Sequence, residues 1–103
     1  MMRRGRRRRG RRGRLPTPVY IEHQPVAEAF IPQPATEKPS IILEHAELEA
    51  LRLVDLEGLS QEEAGERMGV SRGTIWRLLH EARRKTAQAL TEGRRIQIWA
   101  GHP

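Results

Sequence analysis

Apolar residues recur at helical spacing over three stretches of this chain, and a glycine closes each one. The first stretch runs from about Ala46 to Glu57, with Ala50, Leu51, Leu53 and Val54 on one stripe and Gly58 as its end. Leu48 and Leu56 fall outside that stripe. This helix therefore carries more apolar surface than one face needs, and either the N-terminal strand or a second copy of the chain covers the rest. The second stretch is short, from Gln61 to Met68, and stops at Gly69. The third runs from Arg72 to Glu92, roughly 31 Å of helix at 1.5 Å per residue, and Gly93 ends it. Ile75, Leu78, Leu79, Ala82, Thr86 and Ala89 gather on its core side. Beyond it, the alternation in Ile96–Trp99 predicts a short strand, pairing with Val19–Ile21 of the same chain or with a twin strand in a homodimer. Ile41, Ile42 and Leu43 lead into the first helix.

The junction between the second and third stretches carries the strongest local signal. The Ser60 hydroxyl can accept from a free N–H of the first turn, and Glu63 can reach back to the Ser60 N–H, which makes a capping box. Gly69 tolerates the left-handed conformation that closes a helix. Val70 bridges, and Ser71 offers a second N-cap. Two capped helices so close together predict a tight corner, a helix-turn-helix. Such a corner needs a small residue about four positions before the turn glycine, and Gly65 stands there. Ala64, Met68, Val70, Ile75 and Leu78 supply the shared core.

The polar side of the third helix adds chemistry. Opposite the core stripe lie Gly73, Arg77, His80 and Arg84, flanked by Arg72, Trp76 and Arg83. That outer face carries no acid, and Glu81 sits on the other flank. A helix that merely faces water interleaves signs for i,i+4 support. Arginines beside a flat aromatic and a glycine suit a negatively charged, stackable partner instead.

Residues 46–80, AELEALRLVDLEGLSQEEAGERMGVSRGTIWRLLH, resemble the promoter-reading C-terminal region (region 4) of bacterial sigma factors. More closely, the chain from about Tyr20 to Ile98 resembles a small prokaryotic family of uncharacterised, predicted DNA-binding proteins built on that region. The run LEALRLVDLEGLSQEEAGERMGVSR, the following ARRK and the closing EGRRIQI carry this likeness. The resemblance implies a mainly α, three-helix helix-turn-helix domain of the winged-helix-like superfamily, acting as a regulator of transcription. Gly65 departs from it, standing where alanine is more usual, and the arginine tail is longer than usual.

Composition alters this picture in one respect. The chain of 103 residues has a formal charge of +6, but nine of its nineteen basic side chains are arginines within residues 3–14. The remainder holds ten basic and thirteen acidic groups and is mildly acidic. Residues 1–14, MMRRGRRRRGRRGR, therefore read as a disordered arm. Its arginines (Arg3, Arg4, Arg6, Arg7, Arg8, Arg9, Arg11, Arg12 and Arg14) can neutralise phosphates without reading sequence. Six of the seven prolines fall in residues 15–40, which predicts an extended linker draped over the helices. The helix-turn-helix domain then spans 41–99.

Several function classes drop out. There is no cysteine, which suits a reducing cytoplasm and leaves no thiolate chemistry. No apolar run approaches the length of a membrane span, and the N-terminus lacks the apolar core of a signal peptide. The four histidines are scattered, a single aspartate (Asp55) suits a surface or capping role, and no phosphate-binding glycine loop occurs. No catalysis, metal or cofactor is expected.

The expected partner is double-stranded DNA, read in the cytoplasm at the nucleoid. The second helix crosses the backbone with its N-terminal N–H groups toward a phosphate, and the third enters the major groove. Arg72 and Arg77 suit guanine edges, Gly73 admits the backbone, and Ser71 and Thr74 offer hydroxyls. Trp76 lies against a sugar-phosphate wall or a thymine methyl, or packs on Leu79. His80 and Arg84 extend the same face, while Arg83, Arg84 and Lys85 act through charge. Two rival readings are an RNA polymerase contact through the acidic first helix and RNA binding through the arginine arm. Deleting residues 3–14 should flatten the salt dependence of binding to duplex DNA while leaving the preferred sequence unchanged. Binding isotherms at several salt concentrations, with sequencing of the bound pool, check this; loss of preference on truncation would contradict it.

Overall fold

Ile41 and Leu43 are buried while Ile42 faces outward, and this period of two makes a strand of a segment expected only to lead into a helix. In the computed structural model, which describes residues 19–99, two strands, three successive helices and a third strand make a mainly α arrangement. Strand β1 is Ala29–Phe30, and β2 is Ile41–Glu44. Helix α1, His45–Leu51, runs straight into a π-helical turn, Arg52–Leu56. Then follow α2, Gln61–Met68, α3, Arg72–Glu92, and β3, Ile96–Trp99.

Strand β3 lies in the middle of the sheet. It pairs antiparallel with β1 and parallel with β2, with Ile41 opposite Ile96 and Leu43 opposite Ile98. The expected partner of β3, Val19–Ile21, is engaged elsewhere. The Tyr20 N–H donates to the Met68 carbonyl at 2.9 Å, and the Glu22 N–H donates to Oε2 of the buried Glu49 at 3.0 Å. These bonds fasten the N-terminal segment to the helices and leave β3 to pair with the two strands nearer its own end of the domain.

The first helical stretch also differs from a uniform helix. Its last turn closes through a bond from the Glu57 N–H to the Arg52 carbonyl, five residues back. The wider turn keeps Leu53 fully buried and leaves Leu56 78% exposed. Ala50, Leu53, Ala64, Met68, Ile75, Leu78 and Leu79 form the core between α1, α2 and α3, and Val19 packs against it. Two buried acids complete the interior of α1. Glu47 accepts from Lys85 Nζ of α3 at 2.8 Å, and Glu49 accepts from Arg52 Nε and Nη2 at 3.0 and 2.9 Å. Among the described residues, no helix is long and apolar enough to cross a membrane.

The corner between α2 and α3 follows the local chemistry residue by residue. Ser60 Oγ accepts from the Glu63 N–H at 3.0 Å, and Glu63 Oε1 accepts from the Ser60 N–H at 2.9 Å. Gly69 takes φ 73° and ends α2. Ser71 Oγ then accepts from the Thr74 N–H at 3.1 Å to start α3. A Cβ on Gly69 would lie 2.8 Å from the Tyr20 ring, whereas one on Gly58, also at positive φ, meets nothing within 4 Å. Gly69→Ala should therefore cost more than the roughly 1–2 kcal/mol of the left-handed backbone alone, and Gly58→Ala should cost only that. Urea unfolding followed by circular dichroism checks the order; equal midpoints for the two variants would contradict it.

Candidate nucleic-acid interface

Gly65 permits the closest approach at the corner. A Cβ there would stand 2.7 Å from the Val70 carbonyl oxygen, so only glycine fits without moving backbone. The Gly65 carbonyl in turn accepts from the N–H groups of Gly69 and Val70. This compact turn leaves Ser71, Arg72 and Gly73 exposed at the beginning of α3. Helix α3 has no acid in its first turn, whereas α2 carries Glu62 and Glu63 in its own. Electrostatically, then, the N-terminus of α3 favours an anion more than that of α2 does.

The exposed side of α3 divides into two halves with different charge states. In the first half, Ser71 Oγ and Thr74 Oγ1 lie 3.0 Å apart, and Arg77 Nη2 stands 3.5 Å from Thr74 Oγ1, close enough to be steered but not held. Trp76 is 55% exposed. Its ring stacks on His80 at a centroid distance of 5.2 Å with planes 7° apart. The two aromatics form one flat, solvent-facing plate beside Arg77.

In the second half every cation already has a carboxylate. Arg83 donates to both oxygens of Asp55, Nη2 at 2.7 Å and Nε at 3.0 Å. Arg84 Nη2 donates to Glu81 Oε1 at 2.9 Å, so the acid assigned to the other flank is within reach of this face after all. Lys85 Nζ lies between the two oxygens of the buried Glu47. Among the described residues, Arg72 and Arg77 are the cations of α3 without an ion-pair partner. The arginines of residues 3–14 lie outside the described residues.

These pairs are unequal in strength. Arg83–Asp55 and Arg84–Glu81 are about half exposed, the class of ion pair worth roughly 0–1 kcal/mol. Either arginine can exchange its carboxylate for a phosphate at little cost. Lys85–Glu47 is different, because removing the ammonium would strand a buried carboxylate. Lys85 is therefore a structural link between α1 and α3. Asp55 and Glu47 were not legible as partners, since they lie 28 and 38 residues from the cations they hold. No local pattern reports a contact at that separation.

The mainly α domain with its small sheet defines a class only coarsely. Comparison with known proteins is sharper: the chain belongs to the family described as protein of unknown function DUF134, which matches residues 1–102. It is 56% identical over 93 residues to a UPF0251 protein of Pyrococcus furiosus, covering 87% of this chain and 83% of that one. A UPF0251 protein of Archaeoglobus fulgidus is 48% identical over 90 residues, with 87% and 86% covered. A UPF0251 protein of Clostridium botulinum is 43% identical over 84 residues, which are 80% of this chain and 54% of that longer relative. No solved structure matches the chain.

Arg83 holds the Asp55 carboxyl below its ordinary value, chiefly by direct hydrogen bonding. A lowered folded-state value means that the pair stabilises the fold above the unfolded-state carboxylate range and stops doing so as pH falls through the folded value. Asp55→Asn should thus be less stable than the parent near neutrality, with the two converging in acid. Thermal unfolding across a pH series checks this; a gap that stays constant would contradict it.

Proposed function

We propose that α2 and α3 form a helix-turn-helix and that the protein binds double-stranded DNA sequence-specifically, as a prokaryotic regulator of transcription related to sigma region 4. One observation carries the reading: the two unpaired cations of α3 stand together on its acid-free first turns, beside an exposed aromatic plate. An ordinary scaffold helix would tie up Arg72 and Arg77 as α3 ties up Arg83, Arg84 and Lys85.

In this reading the first turns of α3 enter the major groove. The guanidinium forks of Arg72 and Arg77 match O6 and N7 of guanine. Gly73 lets the helix start approach, and the Ser71 and Thr74 hydroxyls meet phosphate or base. The Trp76–His80 plate lies against the sugar-phosphate wall or a thymine methyl. Arg83 and Arg84 swap carboxylate for phosphate along the groove edge, and Lys85 stays inside. Tyr20 anchors the N-terminal segment beside Gly69, and the arginines that precede it in the sequence add sequence-blind affinity. The rival polymerase contact through the acids of α1 has less to work with, because Glu47 and Glu49 are buried and committed to internal partners. Work of this kind belongs in the cytoplasm, at the nucleoid.

Arg77→Ala should cost roughly 1–3 kcal/mol on the preferred duplex and relax the choice at one base pair, while Arg84→Ala should weaken all duplexes alike. Selection of bound DNA from a random pool, followed by titration of the selected site, separates the two patterns. Identical selected sequences and affinities for parent and Arg77→Ala would refute the proposal.

A further inference from the structure

Away from the α3 face, the domain holds an apolar groove of about 720 Å³. Its floor is built from Leu43 of β2, Leu48 and Leu51 of α1, and Ile96 and Ile98 of β3. These belong to the sheet and to one side of α1; α2 supplies no residue to the lining and α3 supplies only Thr86. Three side chains stand up around the floor: Val26, Phe30 and Leu56, which are 95, 61 and 78% exposed. Scattered exposed apolar residues need no explanation, but a contiguous hollow with raised apolar walls on a small domain marks an interaction site.

We propose that this groove is a homodimer interface, in which a second copy of the chain seats its Leu56 and Val26 in the groove of the first and receives the first copy's in return. Three observations select the second copy. The surface offers both a hollow and the projections to fill one, which is the self-complementarity that a two-fold interface requires. Its charges are neutralised from within: Arg52 is shared among Glu22, Glu49 and Glu57, and Asp55 is held by Arg83. Two such surfaces meet without like-charge repulsion, whereas two Arg72–Arg77 faces would repel. Finally, the chain beyond the described residues brings no apolar run: residues 1–18 are dominated by nine arginines, and residues 100–103 are Ala, Gly, His and Pro.

The geometry leaves the proposed DNA face free. Thr86 is the residue of α3 that borders the groove, and it lies about 21 Å along the helix from Arg72. A two-fold dimer would present two such faces, the arrangement that matches paired half-sites. The dimer itself does not rest on DNA binding.

The test is the mass of the full chain in solution. Sedimentation velocity over a range of concentrations should show a reversible monomer–dimer equilibrium for the parent protein. Leu56→Glu and Val26→Glu should each shift it to monomer. Both positions are exposed, so circular dichroism should show unchanged folding for at least one of them. Arg77→Ala should remain dimeric, which keeps a failure of DNA reading distinct from a failure of assembly. A parent protein that stays monomeric throughout, including one whose groove takes up a small apolar dye instead, overturns the proposal. So does a dimer that both folded glutamate variants leave intact, because assembly would then use another surface.

Discussion

The approach of Gly65 to the Val70 carbonyl sets the relation between α2 and α3, and most of the molecule is arranged around it. Nothing larger than hydrogen stands between the helix and the turn, and one carbonyl, that of Gly65, accepts from both Gly69 and Val70. The turn is then short enough for Ser71 to cap α3 at once. The N-terminal segment fastens to the same place, with the Tyr20 N–H on the Met68 carbonyl and its ring over Gly69. A side chain at either glycine would move backbone or an anchored ring, so the direction of α3 and the entry of the N-terminal segment are coupled through a few residues.

Electrostatics then gives the two ends of α3 different roles. Toward its C-terminal half, acids from α1 and the π-helical turn reach across to it, and Lys85 in particular cannot leave Glu47 without stranding a buried charge. Its first turn carries no acid, no ion pair reaches Arg72 or Arg77 among the described residues, and the partial positive charge of the helix adds to theirs. An anion is therefore attracted to one end of a helix whose other end is internally neutral. The Arg72–Arg77 end of the proposed DNA face and the apolar groove fall at opposite ends of this gradient, and the Arg83–Asp55 pair lies between them, since Asp55 lines the groove.

Glycine and serine positions around the corner were readable from the chain because their effect is local. A capping serine and a closing glycine each act within one turn, and α2 and α3 have the bounds that those residues imply. Long-range pairing was not readable. Val19–Ile21 has the composition of a strand, yet its Tyr20 N–H goes to Met68 and the next N–H, that of Glu22, to Glu49, and β3 pairs with Ala29–Phe30 and Ile41–Glu44 instead. The π-helical turn was equally hidden, since the five-residue bond from Glu57 to Arg52 answers to packing around Leu53 and not to any residue that demands it.

The candidate interface divides along the same line. That Arg72, Trp76, Arg77, His80, Arg83 and Arg84 share the outer side of one helix was determined by the sequence alone, because a period of 3.6 residues places them there whatever the rest of the chain does. Which of those cations are free was decided by tertiary structure. Ion pairing depends on distance in space, and Asp55 and Glu47 come within reach of Arg83 and Lys85 only once α1 lies against α3.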